Sequence, residues 1–151
     1  MVHAMSSAKS YYWAAILASN MARLFTREEA ENALPQIVTL LWKLKSLKPN
    51  HDEAEGRLTG LQQKSQTNGH AIDVDTARAS TDRQRIAVEI QGIIDRISEM
   101  GAEVKDIEIG LIDFRSLIDG REVYLCWKLG EERIEWWHDL DSGYESRRRL
   151  D

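Results

Sequence analysis

The segment that decides the fold is residues 119–138, DGREVYLCWKLGEERIEWWH. Its first two residues, Asp119 and Gly120, predict a two-residue hairpin turn, because a type I′ turn needs positive φ at both central positions. The flanking segments 109–114 and 121–129 are apolar at alternate positions, which predicts two antiparallel strands. A turn centred on this dipeptide pairs Phe114 with Leu125, Ile112 with Trp127 and Asp113 with Cys126.

A third strand is expected to complete a meander with one buried face and one solvated face. A four-residue turn at residues 129–132 leads into residues 133–138, and an even number of loop residues keeps the facing of the strands consistent. The predicted core face consists of Ile112, Phe114, Val123, Leu125, Trp127, Leu129, Ile134 and Trp136. The predicted outer face consists of Asp113, Arg115, Tyr124, Cys126, Lys128, Glu135 and Trp137.

Two helices are predicted before the strands. Thr26 and Glu29 have capping-box spacing, so a helix is expected to start at Arg27. Pro35 predicts a break or kink, and Pro49 predicts an end or bend, because proline lacks the N–H that a helix needs. Between the prolines, the apolar positions of residues 36–47 follow three-and-four spacing. A second stripe, ended by Gly101, consists of Ile86, Ile90, Ile93, Ile94, Ile97 and Met100.

These patterns predict an α+β fold, with an antiparallel helical hairpin packed on a small three- to four-stranded antiparallel sheet. Leu24 and Phe25 are expected to form a short strand that extends the sheet edge. Residues 21–151 are expected to form one domain with a protruding polar helical tip near residues 50–80, where large apolar side chains are few. Residues 1–20 are expected to be an N-terminal extension that is either poorly ordered or the product of a misassigned start codon. A secretory signal is disfavoured, because it needs a positively charged beginning and these residues contain one lysine.

Composition argues against several classes of protein. The chain has 151 residues and a formal net charge of −5. This charge disfavours a protein whose main task is to bind nucleic acid, because phosphate binding requires a basic surface. It has one cysteine, Cys126, so an internal disulfide framework is ruled out. No apolar run approaches the length needed to cross a bilayer, and we expect a cytoplasmic protein without membrane contact.

Three segments carry a resemblance to a known family: MARLFTREEAENALP at residues 21–35, GLIDF at 110–114 and the long motif at 119–138. Together they resemble the bacterial family called Domain of Unknown Function 2203, over roughly residues 21–150. The resemblance implies a small prokaryotic protein with a helical hairpin and a small sheet, and no activity to carry over. It also implies a shared pattern of Asp113, Cys126, Trp127, Gly130, Glu131, Trp137 and His138.

A metal site receives little support from spacing. The predicted register places Cys126 and His138 on opposite faces of the sheet, and the chain has neither a CxxC nor an HExxH motif. We therefore expect no metal and no cofactor, with His138 ending a strand and hydrogen-bonding the backbone or a carboxylate. Catalysis by Cys126 is also disfavoured, because the neighbouring carboxylates raise the pKa of a thiol.

Two function hypotheses remain, with a weaker third. The leading one is a non-enzymatic interaction or self-association module, a homo-oligomer or a protein partner, that binds through exposed Arg115, Tyr124 and Trp137. An even alternative for these aromatic residues is that residues 139–150, or the N-terminal strand and tail, fold over them. The second hypothesis is a small-ligand or metal-dependent enzyme with Asp113, Glu135 and His138 in a cleft between sheet and helix. The third, nucleic-acid binding through the arginines at 147–149, is disfavoured by the acidic net charge.

Overall fold

Two long helices precede a five-stranded antiparallel sheet. The structure is a computed structural model and describes residues 23–68 and 74–151. Its helices are α1 (Arg27–Asn68) and α2 (Val74–Glu99). Its strands are β1 (Ala102–Asp106), β2 (Leu111–Ile118), β3 (Arg121–Lys128), β4 (Trp136–Asp139) and β5 (Arg148–Arg149), with a 3₁₀ turn at Tyr144–Ser146. The predicted α+β class is confirmed, with five strands in the order β1-β2-β3-β4-β5 rather than three or four.

The start of α1 follows the predicted capping box. The Glu29 N–H donates to Thr26 Oγ1 at 3.1 Å, and the Thr26 N–H donates to Glu29 Oε2 at 2.8 Å. Each residue satisfies an N–H that the first helical turn leaves without a backbone partner. The helix begins at Arg27, as predicted.

Of the alternatives predicted at the prolines, a break at Pro35 and an end at Pro49 are wrong, because α1 continues through both prolines to Asn68. Each proline removes one backbone hydrogen bond, whereas the apolar stripe on both sides of Pro35 packs into one core. Tertiary packing of that stripe supplies more stability than local propensity removes. Gly56 and Gly60 also lie within the helix.

The distal part of the hairpin is helical over residues 50–68 and 74–80, while residues 69–73 lie outside the described part of the chain. Its buried apolar side chains are Ala54, Leu58 and Ala79. Helix α2 begins at Val74 and carries the isoleucines of the predicted stripe. Gly101, at φ +93°, follows its end in the expected left-handed conformation. Within the described residues, neither helix has an apolar stretch long enough to cross a membrane.

The β2–β3 hairpin has the predicted register. Phe114 pairs with Leu125, Ile112 with Trp127 and Asp113 with Cys126. Asp119 and Gly120 have φ of 51° and 75°, as the primed turn requires. The hairpin therefore follows directly from the turn dipeptide and the alternation beside it.

The edge of the sheet differs from the prediction. Strand β1 occupies it, and Leu24 and Phe25 do not form a strand. The Phe25 N–H donates to the Arg115 carbonyl at 2.7 Å, and the Ser116 hydroxyl donates to the Phe25 carbonyl at 2.6 Å. Phe25 thus extends the edge by a single residue beyond Ala102, where the pairing of β1 ends.

The predicted facing of β4 is also wrong. Seven residues, 129–135, connect β3 to β4, and an odd number reverses the facing that a four-residue turn would give. Trp137 therefore pairs with Leu125 on the core side, while Trp136 pairs with Cys126 and His138 with Tyr124 on the outer side.

Three hydrogen bonds hold this longer connection. The Trp127 indole donates to the Glu131 carbonyl at 3.0 Å, and the Lys128 N–H donates to the Glu131 carboxylate at 2.9 Å. The Ile134 N–H donates to the Glu31 carboxylate of α1 at 3.1 Å, and Ile134 is fully buried. Ile134 thus enters the core from the connection, and β4 starts at Trp136 instead of Arg133.

The core lies between the hairpin and one face of the sheet. Its buried members include Phe25, Leu34, Ile37, Leu41 and Leu44 before the second helix, Ile93 and Ile97 from α2, and Ile112, Phe114, Leu125, Trp127 and Ile134 from the sheet region. The Phe25 and Phe114 rings lie 5.3 Å apart, next to Gly101.

We predict that Gly101→Ala lowers the free energy of unfolding by at least about 2 kcal/mol. A Cβ at this position would lie 1.9 Å from Cζ of Phe25, and φ is +93°, which L side chains rarely adopt. The matched control is Gly92→Ala, since a Cβ on Gly92 meets nothing within 4 Å. The control is expected to be neutral or stabilising by up to about 1 kcal/mol. Urea unfolding measures both, and equal midpoints would contradict the role of Gly101.

Candidate functional site

Three neighbouring strands bring Asp113, Cys126 and His138 together on the sheet face that points away from the helices. Their relative exposures are 2%, 0% and 2%. One oxygen, sulfur or ring-nitrogen atom from each residue lies within 4.8 Å of the corresponding atoms of the other two. We call these three residues the buried triad.

Both ring nitrogens of His138 have hydrogen-bond partners. Nδ1 lies 2.8 Å from the Asp139 carbonyl oxygen, and Nε2 lies 3.1 Å from Asp113 Oδ2. A carbonyl oxygen only accepts, so Nδ1 carries a hydrogen, and one further proton lies between Nε2 and Oδ2. The expectation that His138 ends a strand and bonds to backbone or carboxylate agrees with this geometry, since it bonds to both.

The second carboxylate oxygen of Asp113 is left alone. Oδ1 is buried and has no hydrogen-bond partner among the residues that the structure describes. Burial raises the pKa of Asp113, whereas the charge of His138 and a hydrogen bond with the Cys126 thiol oppose that rise. An unpartnered buried oxygen is unfavourable in a folded protein, so this atom marks the triad as more than a packing feature.

The surroundings of Cys126 disfavour its reactive thiolate form. Burial, followed by the nearby Asp113 charge, raises the pKa of its thiol to about 12. The thiolate that would attack a substrate is therefore scarce at neutral pH. This agrees with the expectation that the carboxylates beside Cys126 act against catalysis by this residue.

The prediction of a solvated outer face is wrong, because the C-terminal segment covers part of this face of the sheet. Arg147, from the C-terminal segment, pairs with Glu131 at 2.8 Å and lies over the Tyr144 and Trp136 rings, 4.1 and 5.0 Å from their centroids. Lys128 Nζ donates to the Tyr144 hydroxyl at 3.2 Å. The charge of Arg147 also acts on the Cys126 thiol, so the guanidinium lies close to the triad.

The predicted contact residues do not form one exposed patch. Tyr124 is 7% exposed and donates its hydroxyl proton to the Glu103 carboxylate at 3.0 Å. Arg115 lies beside it, 5.6 Å from the ring centroid, as the predicted face requires. Trp137 faces the helix side and packs against the core, because the β3–β4 connection is odd.

The three residues of the enzyme hypothesis, Asp113, Glu135 and His138, are only partly brought together. Asp113 and His138 meet, whereas Glu135 lies in the connection before β4 and pairs with Arg149 at 3.4 Å. The meeting point is on the far side of the sheet, so the expected cleft between sheet and helix does not contain it. The odd length of the β3–β4 connection brings Cys126 and His138 to the same face, and the sequence pattern, which predicts a strand from residue 133, does not show that length.

The hairpin presents a second surface. Five of its apolar side chains are half-buried, and we call them the hairpin seam: Leu47, Leu61, Ile86, Ile90 and Ile94. Leu47, Ile90 and Ile94 also pack against the edge of the core, so only part of each side chain is open to solvent. Only Ile93 and Ile97 of the predicted isoleucine stripe are buried. Cavities of about 500 and 710 Å³ lie on different faces of distal α1, the first lined in part by Gly56, Gly60 and Ala79 and the second by Leu58 and Ala77.

We predict that His138→Ala lowers the free energy of unfolding by about 3–5 kcal/mol, because it leaves the Asp113 carboxylate buried without its ion-pair partner. The control, Glu135→Ala, removes an acid whose side chain is 45% exposed and is expected to change stability by less than about 1 kcal/mol. Chemical unfolding at neutral pH compares them. Similar losses of unfolding free energy in both variants would show that the buried pair stabilises the fold no more than the exposed Glu135 does.

Comparison with known proteins identifies the family. A family model described as an uncharacterized conserved protein, DUF2203, matches residues 23–150. No curated protein and no solved structure matches the chain. The match includes all three members of the buried triad and both helices of the hairpin, and the chain belongs to the DUF2203 family.

Proposed function

We propose that this protein is a cytoplasmic, non-enzymatic self-association module whose helical hairpin packs against the hairpin of a second copy. The observation that carries the proposal is the hairpin seam. Its side chains are apolar and follow helical spacing, yet they remain half-buried in the single chain. Each helix of a two-helix hairpin buries only the side of its apolar stripe that faces the other helix. The two helices of a second copy would bury the remaining side and form a four-helix bundle.

The dimensions of the hairpin support this arrangement. Helix α1 has 42 residues, so it is about 63 Å long at 1.5 Å per residue. The core includes residues of α1 as far as Leu44. Farther along the hairpin, the described buried apolar residues are Ala54, Leu58 and Ala79. A stable interface buries roughly 1,200–2,000 Å², which a hairpin of this length is long enough to supply.

Ion pairs hold the two helices of one chain in register. Lys43 pairs with Glu89 at 2.8 Å, and Arg83 pairs with Glu55 at 3.3 Å. These contacts support a hairpin that docks as a preformed unit, which reduces the conformational entropy lost on association.

Other partner classes receive less support. The arginines of the C-terminal cluster are engaged within the chain: Arg147 with Glu131, Arg148 with Asp139 and Arg149 with Glu135. Their charges are therefore partly neutralised, which disfavours a nucleic-acid surface. The chain has a single cysteine and so lacks the internal disulfides on which many small secreted domains depend, which supports the cytoplasmic location.

We predict that Ile86→Asp dissociates the dimer, because the charge would be desolvated in the interface. The matched control is Val88→Asp on the same helix: residue 88 lies about 200° around the axis from residue 86 and is 61% exposed. Light scattering during size-exclusion chromatography, over a concentration series, measures the mass, and circular dichroism measures the helix content. Ile86→Ala, which keeps helix propensity, is expected to weaken the dimer without unfolding it.

A wild-type protein that stays monomeric over the whole concentration series would refute the proposal. So would an Ile86→Ala variant that is folded and dimerises as tightly as the wild type. Dissociation by Val88→Asp would place the interface on the opposite face of α2 and would equally exclude the hairpin seam.

A further inference from the structure

We propose that the buried triad is a binding site for a divalent transition-metal ion, with Zn²⁺ as the ion that its ligand set suits best. Asp113 offers a carboxylate oxygen, Cys126 a sulfur and His138 the Nε2 nitrogen. The site lies on the outer face of the sheet, so it is independent of the hairpin and of self-association.

The hydrogen bonding of His138 favours coordination through Nε2. Its Nδ1 is held by the Asp139 carbonyl at 2.8 Å, which directs Nε2 toward Asp113 and Cys126. Metal-binding histidines commonly donate their second ring N–H to a carbonyl or carboxylate in this way, since that bond sets the tautomer and the ring orientation.

The spacing of the three groups is close to that of a tetrahedral site. Zinc lies about 2.0–2.3 Å from nitrogen, oxygen and sulfur ligands, which places neighbouring ligand atoms roughly 3.3–3.8 Å apart. Nε2 and Oδ2 already lie 3.1 Å apart, and all three ligand atoms lie within 4.8 Å. Movements of about 1 Å, within side chains on adjacent strands, would complete the geometry.

Asp113 supplies the observation that points to a cation rather than to an ion pair alone. Its Oδ1 is buried with no hydrogen-bond partner in the described residues, although its Oδ2 bonds to His138. A cation between the carboxylate, the sulfur and Nε2 would give the carboxylate a strong second partner. Fully buried carboxylates are usually paired or bound to metal, because an isolated one is strongly destabilised by desolvation.

The charges of the site also balance for a divalent ion. A carboxylate and a thiolate together carry two negative charges, a neutral imidazole carries none, and a divalent cation cancels the total. Cys126 binds as the thiolate, with its proton released to solvent, because the ion stabilises the deprotonated sulfur. Mg²⁺ and Ca²⁺ are disfavoured, since they prefer oxygen ligands throughout.

Three protein ligands leave one tetrahedral position for a water molecule or another small donor. Arg147 lies near the sulfur and is anchored by Glu131, Tyr144 and Trp136. Entry of the ion therefore requires this cover to open, so slow loading is expected for native protein.

Co²⁺ is the probe of choice, because a cobalt–thiolate bond gives a charge-transfer band in the near ultraviolet and tetrahedral Co²⁺ absorbs strongly in the visible. The chain has one cysteine, so a thiolate band can arise only from Cys126. Untagged full-length protein is titrated with Co²⁺, both as native protein and after refolding in its presence. We expect one Co²⁺ per chain with a thiolate band, displaced by one equivalent of Zn²⁺.

The variants Cys126→Ser and Asp113→Asn are close in size to the native residues, and each is expected to weaken binding more than about tenfold. Cys126→Ser is also expected to remove the thiolate band. Glu135→Gln is the control, since this acid lies outside the triad and pairs with Arg149. Absence of the thiolate band in both titration arms overturns the proposal. So does a folded Cys126→Ser variant with unchanged Co²⁺ affinity and spectrum.

Discussion

Side chains alternate across a strand, so the length of the connection between β3 and β4 determines the composition of both sheet faces. Its seven residues, 129–135, place His138 beside Asp113 and Cys126 and send Trp137 to the core side. Glu131 stabilises this length, because it accepts hydrogen bonds from Trp127 and Lys128 at one end of the connection. One residue fewer would separate the buried triad and bring Trp136 into the core instead.

Local patterns were sufficient to predict much of the fold. The capping box at Thr26 and the turn at Asp119 and Gly120 each depend on a few neighbouring residues, and both occur where predicted. The prolines misled because their local effect is opposed by packing between α1, α2 and the sheet, which no short window contains. Strand β1 was missed because its five residues, AEVKD, have little apolar alternation.

The candidate site was harder to predict, since burial on the outer face depends on distant parts of the chain. Arg147 reaches the triad only because the segment after β4 turns back across the sheet and meets Glu131. Tyr124 looked like an exposed binding residue for the same reason, and it is instead covered and bonded to Glu103. The two candidate sites are separate: the buried triad lies on the outer face of the sheet, and the hairpin seam lies along the two helices.

The order β1-β2-β3-β4-β5 has a consequence for how the chain folds, since every strand pairs with the next one along the sequence. Such a meander closes through short loops, and short closures lose little chain entropy. The N-terminal part of the chain is different: Phe25, just before α1, and Glu31 and Lys45 within it contact sheet-region partners that are 91, 103 and 63 residues away in sequence. Docking of α1 therefore carries the largest entropic barrier in assembly, and the C-terminal meander is the natural nucleus on which the N-terminal helix condenses.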